Sequence, residues 1–210
     1  MKRRLLYFVS ISVMILLAFA TWTLTTRAGY ESAGYAVIEV DGHIEIRQYP
    51  DLILAATDSD MDSEGRDGSF MRLFRYISGA NDEDQKIAMT TPVFMEGKAG
   101  DSNVSMGFVM PKEVTVRGVP APTGNGVKIR TRRGGRFAVI RFAGRLDSNL
   151  AKEYVTKLRQ WMAARGITGE ATAEAAGYDP PFTPGPLRRN EILIRLARES
   201  VTETNGDAKP

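Results

Sequence analysis

The sequence predicts an α+β fold, a distorted antiparallel β-sheet or partial barrel carrying two helices and built from a ββαββ unit used twice. Three observations carry this. Residues 35–49 and 127–142 alternate apolar and polar side chains on both sides of Asp41-Gly42 and Gly134-Gly135, the pattern of β-hairpins. Residues 69–78 and 147–165 repeat apolar side chains at helical spacing. Each helix is followed by two further strand-like runs. The order is thus hairpin, helix, two strands, linker, hairpin, helix, two strands, an arrangement that places both helices on one sheet.

In the first hairpin Ala36, Ile38 and Val40 share a face, as do Ile44 and Ile46 after the turn. Residues 51–57 continue as a strand past Pro50, and 58–68 form a polar loop. Ser69 is the expected N-cap of the first helix and Gly79 its stop; Phe70, Leu73, Phe74 and Ile77 fall at i, i+3, i+4, i+7 and should be buried, with Met71 and Arg75 on the flank. Residues 86–96 and 103–110 read as strands. Met89, Thr91, Val93 and Met95 share a face of the one, and Val104, Met106, Phe108 and Met110 of the other. Pro92 should confine its strand to an edge or a bulge. Residues 120–126 are a Pro/Gly-rich linker. Asp147 or Ser148 caps the second helix, whose apolar positions are Ala151, Tyr154, Val155, Leu158, Trp161 and Met162 and which Gly166 ends. A strand at 170–178, a proline-rich loop at 180–187 and a closing strand at 191–197 complete a domain over 35–198, with a disordered tail at 199–210.

Composition removes several functions. The 210 residues are 43% hydrophobic and 25% charged, an ordinary globular balance. There is no cysteine, hence no disulfide, thiolate chemistry or cysteine-held metal. With His43 the single histidine, no two-histidine metal motif exists. The net charge of +3 resides formally in Lys2, Arg3 and Arg4. The other Lys and Arg balance the 25 acidic residues, so a basic nucleic-acid footprint is missing. After those three cations, residues 5–26 carry no charge. The core of that run, 5–24, would span about 30 Å as a helix, the thickness of a bilayer core. Residues 1–27 therefore read as a signal anchor or a signal peptide, and 28–34 as a linker. The N-terminal cations keep to the cytoplasmic side and the domain lies outside the cytoplasm, or is secreted if cleavage follows the small residues Ser32-Ala33-Gly34.

The segments IEIRQY (44–49), FMRLFRYISGAND (70–82) running into KIAMTTPV (86–93), FVMP (108–111) and YDPPFTPGPLRRNEI (178–192) resemble the SOUL haem-binding protein family, in order, across residues 35–196. That resemblance implies a distorted barrel with two helices. It also implies a non-enzymatic protein that holds haem or another tetrapyrrole in an apolar cleft beside the first helix, commonly without a fixed axial histidine, and that buffers or transfers it at the membrane. The repeat is similar as well to effector-binding domains that capture small amphipathic molecules. Unlike the animal members, this chain carries a membrane-type N-terminus.

A tetrapyrrole needs apolar contact for its ring and cations for its propionates. The expected contacts are Met71, Arg72, Phe74, Arg75 and Lys86 around the first helix. Tyr178 and Phe182 would close over the ring from the proline-rich loop, whose alternative role is a rigid connection. Arg188 and Arg189, in the RRNE element, are expected to brace the closing strand by ion pairing, a structural role. His43 reads as an exposed residue of the turn, and Met89, Met95, Met106 and Met110 as core filler with one of them facing a ligand as the alternative. Asp58, Asp60 and Asp62 start a calcium-loop pattern that Ser63 and Ser69 break where glycine and glutamate are required. No catalytic or metal site is expected. The competing activity is a hydrolase acting on a small apolar substrate, which would need Glu96 or Glu174 buried and facing the cleft.

Overall fold

The computed structural model describes residues 29–59, 67–97, 104–180 and 182–197, together with Tyr7, Ile11, Val13 and Met14. Its strands are β1 (Glu31–Ser32), β2 (Ala36–Asp41), β3 (Ile44–Tyr49), β4 (Leu52–Ser59), β5 (Thr90–Thr91), β6 (Val93–Gly97), β7 (Val104–Val109), β8 (Lys128–Arg132), β9 (Gly135–Ala143), β10 (Ala173–Gly177) and β11 (Arg189–Arg195). The helices are α1 (Ser69–Ile77), α2 (Lys112–Arg117) and α3 (Ser148–Ala164). Nine strands form one open antiparallel sheet in the order β2-β3-β9-β11-β10-β6-β7-β4-β8, while β1 and β5 pair in parallel apart from it.

The α+β class and the repeated ββαββ unit are as the sequence predicts, but the units interleave. β3 of the first unit lies against β9 of the second, and β8 of the second against β4 of the first. The two halves meet where β6 pairs with β10. The first hairpin forms at Asp41-Gly42, with Asp41 opposite Ile44 and Gly42 at φ 59°. The second does not. Gly134-Gly135 bends the chain without reversing it, so that β3–β4 and β8–β9 run past each other in one continuous register, Tyr49 opposite Gly135 and Leu52 opposite Arg132. At the crossing a Cβ on Gly134 would overlap the carbonyl oxygen of Tyr49 and lie 2.5 Å from the carbonyl carbon of Pro50. The glycine pair that looked like a turn is there for close approach of two backbones.

Other boundaries differ for local reasons. Gly68, in the left-handed region at φ 78°, caps α1 in place of Ser69. Ser69 is the first helical residue; its amide donates to Asp67 Oδ1 (3.0 Å) and its hydroxyl reaches Met106 Sδ (3.5 Å). The buried face of α1 is Leu73, Tyr76 and Ile77 with Ser69, whereas Phe70 is half-buried and Phe74 is exposed. Residues 86–89 are not a strand. Pro92 falls between β5 and β6, outside the ladder, so β6 can be an interior strand between β10 and β7 rather than the edge. The sequence pattern did not show α2. Asp147 caps α3 as expected, its Oδ1 accepting from the amides of Asn149 and Leu150 at 2.9 Å.

The sheet is covered on both faces. On one, α1 and α3 pack over Ile46, Ala55, Met95, Met106, Ile140, Ile192 and Ile194. On the other, Tyr49, Leu54, Phe94, Phe137, Val139 and Leu193 form a second cluster. Among the described residues no helix is long and apolar enough to cross a membrane. Most of 5–24, and all of the tail 199–210, lie outside the described residues.

Replacing Gly134 by alanine is expected to destabilise the fold by about 1–3 kcal/mol, the usual cost of forcing atoms into a packed site. Urea unfolding of the variant beside the parent chain measures it.

Candidate functional site: an apolar cleft beside the first helix

The outward face of α1 borders a cleft of about 360 Å³. Phe70 and Phe74 form one wall, Met89, Thr91 and Val93 of the β5–β6 segment the second, and the chain leaving β10, from Gly177 through Pro180 to Phe182, the third; Tyr30 stands at the entrance. The spacing of α1 explains the first wall. Phe70 is anchored edge-on against Phe108 (centroids 5.3 Å, 63°) and stacks on Phe74 (6.2 Å, 12°), holding Phe74 out toward solvent. Phe74 remains 43% exposed and Phe182 75%. Exposed aromatic side chains around an apolar cavity are the usual surroundings of a small-molecule site.

The third wall is pinned. Thr183 N donates to Pro180 O (3.0 Å), Arg188 Nε to Thr183 O (2.7 Å) and Arg189 N to Asp179 Oδ2 (2.6 Å). Behind it lies a buried ionic group centred on Glu191, which has no solvent exposure. Glu191 accepts from Arg47 Nη1 and Nη2 (2.7 and 3.0 Å), from Arg189 Nη2 (2.6 Å) and from the Tyr178 hydroxyl (2.8 Å). Burial alone would raise the Glu191 pKa, but the hydrogen bonds and charge of Arg47, then the charge of Arg189, outweigh it and hold the carboxyl below its ordinary value of 4.5. Burial is also the main reason the Tyr178 hydroxyl titrates well above 10, with the Glu191 carboxylate adding to it.

Of the seven residues expected at the site, Phe74, Tyr178 and Phe182 line the cleft. Tyr178 does so as its floor: the side chain is buried, with its hydroxyl on Glu191, and it does not close over a ligand. Arg72 and Arg75 border a different groove, toward Pro122–Asn125. Arg72 is engaged there by Thr57 Oγ1 (3.0 Å), Asp67 O (3.2 Å) and Asp58 O (2.6 Å), and Arg75 Nε donates to Met71 O (3.3 Å). Met71 and Lys86 are exposed and do not line the cleft. The cations expected for propionates are therefore not gathered at this cavity; one helix cannot present Phe74 and Arg72 in the same direction.

Phe70 and Tyr30 join the site without having been singled out for it, and Met89 joins it from the methionines given as alternative ligand contacts. Met89 is the methionine that faces the cleft, while Met95, Met106 and Met110 are buried in the core. Its position on the alternating face shared with Val93 was the available signal. His43 is exposed in the β2–β3 turn. Arg189 braces its strand by ion pairing to Glu191 (2.6 Å). Glu96 and Glu174 do not face the cleft. They lie in a charged basin, Glu96 against Arg130 (2.7 Å) and Glu174 against Arg132 (2.5 Å). Asp60 and Asp62 lie outside the described residues. Among the described residues no group of three His, Cys, Asp or Glu side chains is placed to hold a metal ion.

A family model, SOUL heme-binding protein, matches residues 30–195, from the cleft entrance to the last strand. The chain belongs to the SOUL heme-binding protein family. It is 25% identical over 179 residues to heme-binding protein 1 of Mus musculus, which covers 82% of this chain and 90% of that protein. To heme-binding protein 1 of Sus scrofa it is 28% identical over 150 residues, 66% of this chain and 74% of that one. Solved structures share the fold at low identity. The EcmrR C-terminal domain superposes with a TM-score of 0.53 at 13% identity, covering 78% of this chain and 98% of that one. A hydrolase from Listeria innocua does so at 0.51 and 11%, covering 73% and 91%. At such identities the likeness concerns the SOUL domain's fold alone.

The donor set of the cleft suits one part of a haem and not another. Aromatic walls and a methionine match a flat apolar ring, and among the described lining residues neither a histidine nor a Lys or Arg is present.

Because the Glu191 carboxyl is held below 4.5, its contribution to stability is complete above that value and is lost as pH falls through its lowered folded-state pKa. The unfolding midpoint should therefore fall below about pH 4, and Glu191→Gln should flatten this dependence. Glu191→Ala, which strands Arg47 among buried groups, is expected to cost about 3–5 kcal/mol in urea unfolding at neutral pH.

Proposed function

We propose that this SOUL-family chain is a non-enzymatic binding protein for haem or a related tetrapyrrole, and that the ring sits in the cleft beside α1. The observation that carries this is the meeting of family membership with an aromatic-walled cavity whose most exposed side chains, Phe74 and Phe182, flank its mouth. Haem, when bound, would bring a flat apolar macrocycle, two carboxylates and a redox-active iron. Phe70, Phe74 and Phe182 would cover the ring and exclude water, with Tyr178 and Gly177 as the floor. Met89 is the thioether positioned to face it. Arg72 has other partners, and no Lys or Arg among the described lining residues meets the propionates, which would lie at the open side of the cleft. In this reading residues 5–24 anchor the chain in the membrane with the domain outside the cytoplasm, where it buffers haem or hands it on.

Titration with hemin and with protoporphyrin IX tests the reading. A saturable Soret change and fluorescence quenching at micromolar ligand are expected. Phe74→Ala with Phe182→Ala should weaken both by about tenfold or more, since burying one such side chain is worth about 1.5–3 kcal/mol. Both side chains are exposed, so the double variant should retain its unfolding midpoint. No saturable change, or unaltered binding by the double variant, overturns the assignment to this cleft.

A further inference from the structure

Large apolar side chains that remain exposed within residues 29–197 gather mainly in two places. One is the outermost strand β2, with Val37, Ile38 and Val40; the other is the cleft rim and adjoining turn of α1, with Tyr30, Met71, Phe74 and Phe182. The chain itself distinguishes them. The uncharged run of the sequence ends at Thr26, and Tyr30, four residues on, stands at the cleft entrance. Four residues reach at most about 14 Å even when fully extended. The tether is also fixed in direction. Immediately after Tyr30, β1 pairs in parallel with β5, Glu31 opposite Thr90 and Ser32 opposite Thr91, and Ala33 N donates to Thr91 O (2.8 Å). Thr91 is itself part of the cleft wall. The strap that joins the apolar run to the domain is thus fastened to the cleft. β2, by contrast, lies four strands from β10, about 19 Å across the sheet.

We propose that the mouth of the cleft docks on the surface of the lipid bilayer, with Phe74 and Phe182 entering the boundary between headgroups and acyl chains. Aromatic side chains favour that zone, and apolar side chains buried there add to the hold of a neighbouring anchor. The cleft then opens into the membrane. An apolar ligand dissolved in the bilayer enters between Phe74 and Phe182 without crossing water, a route suited to an amphipathic ring of low aqueous solubility. The inference rests on the membrane attachment proposed above and adds the orientation of the domain.

The chain has no cysteine, so a single introduced one gives a unique labelling site. Full-length Phe182→Cys and Val40→Cys, each carrying an environment-sensitive fluorophore, would be reconstituted into phosphatidylcholine vesicles with and without shallow doxyl-labelled phosphatidylcholine. Both positions are exposed, so neither change disturbs packing. The expected result is co-flotation of both proteins with the vesicles. The label at 182 should be shifted to the blue and quenched by the doxyl lipid, and the label at 40 should be unquenched. Co-flotation with equal, water-like emission at both positions overturns the docking and leaves the attachment standing. Failure to co-float overturns both. A second copy seated on the rim would shift the label at 182 without doxyl quenching, and that outcome also overturns the proposal.

Discussion

A carboxylate with no solvent exposure organises this molecule. Glu191 on β11 binds Arg47 on β3 and Arg189 on its own strand, holds Tyr178 just past β10, and lies 3.7 Å from Arg141 on β9. Removing such a charge from water costs several kcal/mol, and the cost is offset only when each remaining lone pair finds a donor. Here Arg47 also reaches Glu45 Oε2 (2.6 Å) and the Tyr49 hydroxyl (3.0 Å), and the guanidinium carbons of Arg47 and Arg189 lie 4.1 Å from the ring centres of Tyr35 and Tyr178. The network thereby joins β3, β9, β11 and the segment that follows β10, which are neighbours in the sheet.

The cleft inherits its shape from that group. Tyr178 is turned inward to Glu191, so the chain immediately after it must pass outward through Asp179 and Pro180 as the cleft wall. Arg189, one face on Glu191, uses its backbone amide to hold Asp179. Polar chemistry is thus spent largely behind the wall, and the surface left facing the cavity is mainly aromatic and aliphatic, with Thr91 and Asp179 also among its lining residues. The opposite end of the same sheet face repeats the device with Arg132, whose guanidinium lies 4.3 Å from the Phe94 ring centre and 4.5 Å from that of Phe137 while bonding Glu174. That pairing holds Glu174 in the charged basin, away from the cleft.

The parts legible in the sequence were those set by local chemistry. Alternation placed Ile44 and Ile46 on one face of β3 and Val104, Met106 and Phe108 on one face of β7; Asp147 capped α3; family motifs located the cleft beside the first helix. Three of the differences share one cause. Gly134-Gly135, Pro92 and Phe74 each have a strong local reading, as turn, edge marker and core residue, and in each case a distant segment supplied the deciding constraint. For Gly134 it is the backbone at Tyr49 and Pro50. For Pro92 it is the separate β1–β5 pairing, and for Phe74 the stacking on a Phe70 already held by Phe108. Arg72 and Arg75 border another groove for a simpler reason: helical spacing says which side chains are neighbours, but not which flank of the helix faces the cavity.

By itself the sequence determined the α+β class, the doubled ββαββ unit, the family, and the absence of thiol and multi-histidine chemistry, because these depend on composition, on periods of two and 3.6 residues, and on contiguous motifs. Only the tertiary structure decided that the two units exchange their first strands, that Glu191 is the buried centre, and that Phe70, Phe74, Met89 and Phe182 meet while Arg72 and Arg75 turn away. Strand exchange and the closing of a cavity join residues tens to more than a hundred positions apart, and their energy comes from burial and pairing that exist only once the sheet has assembled.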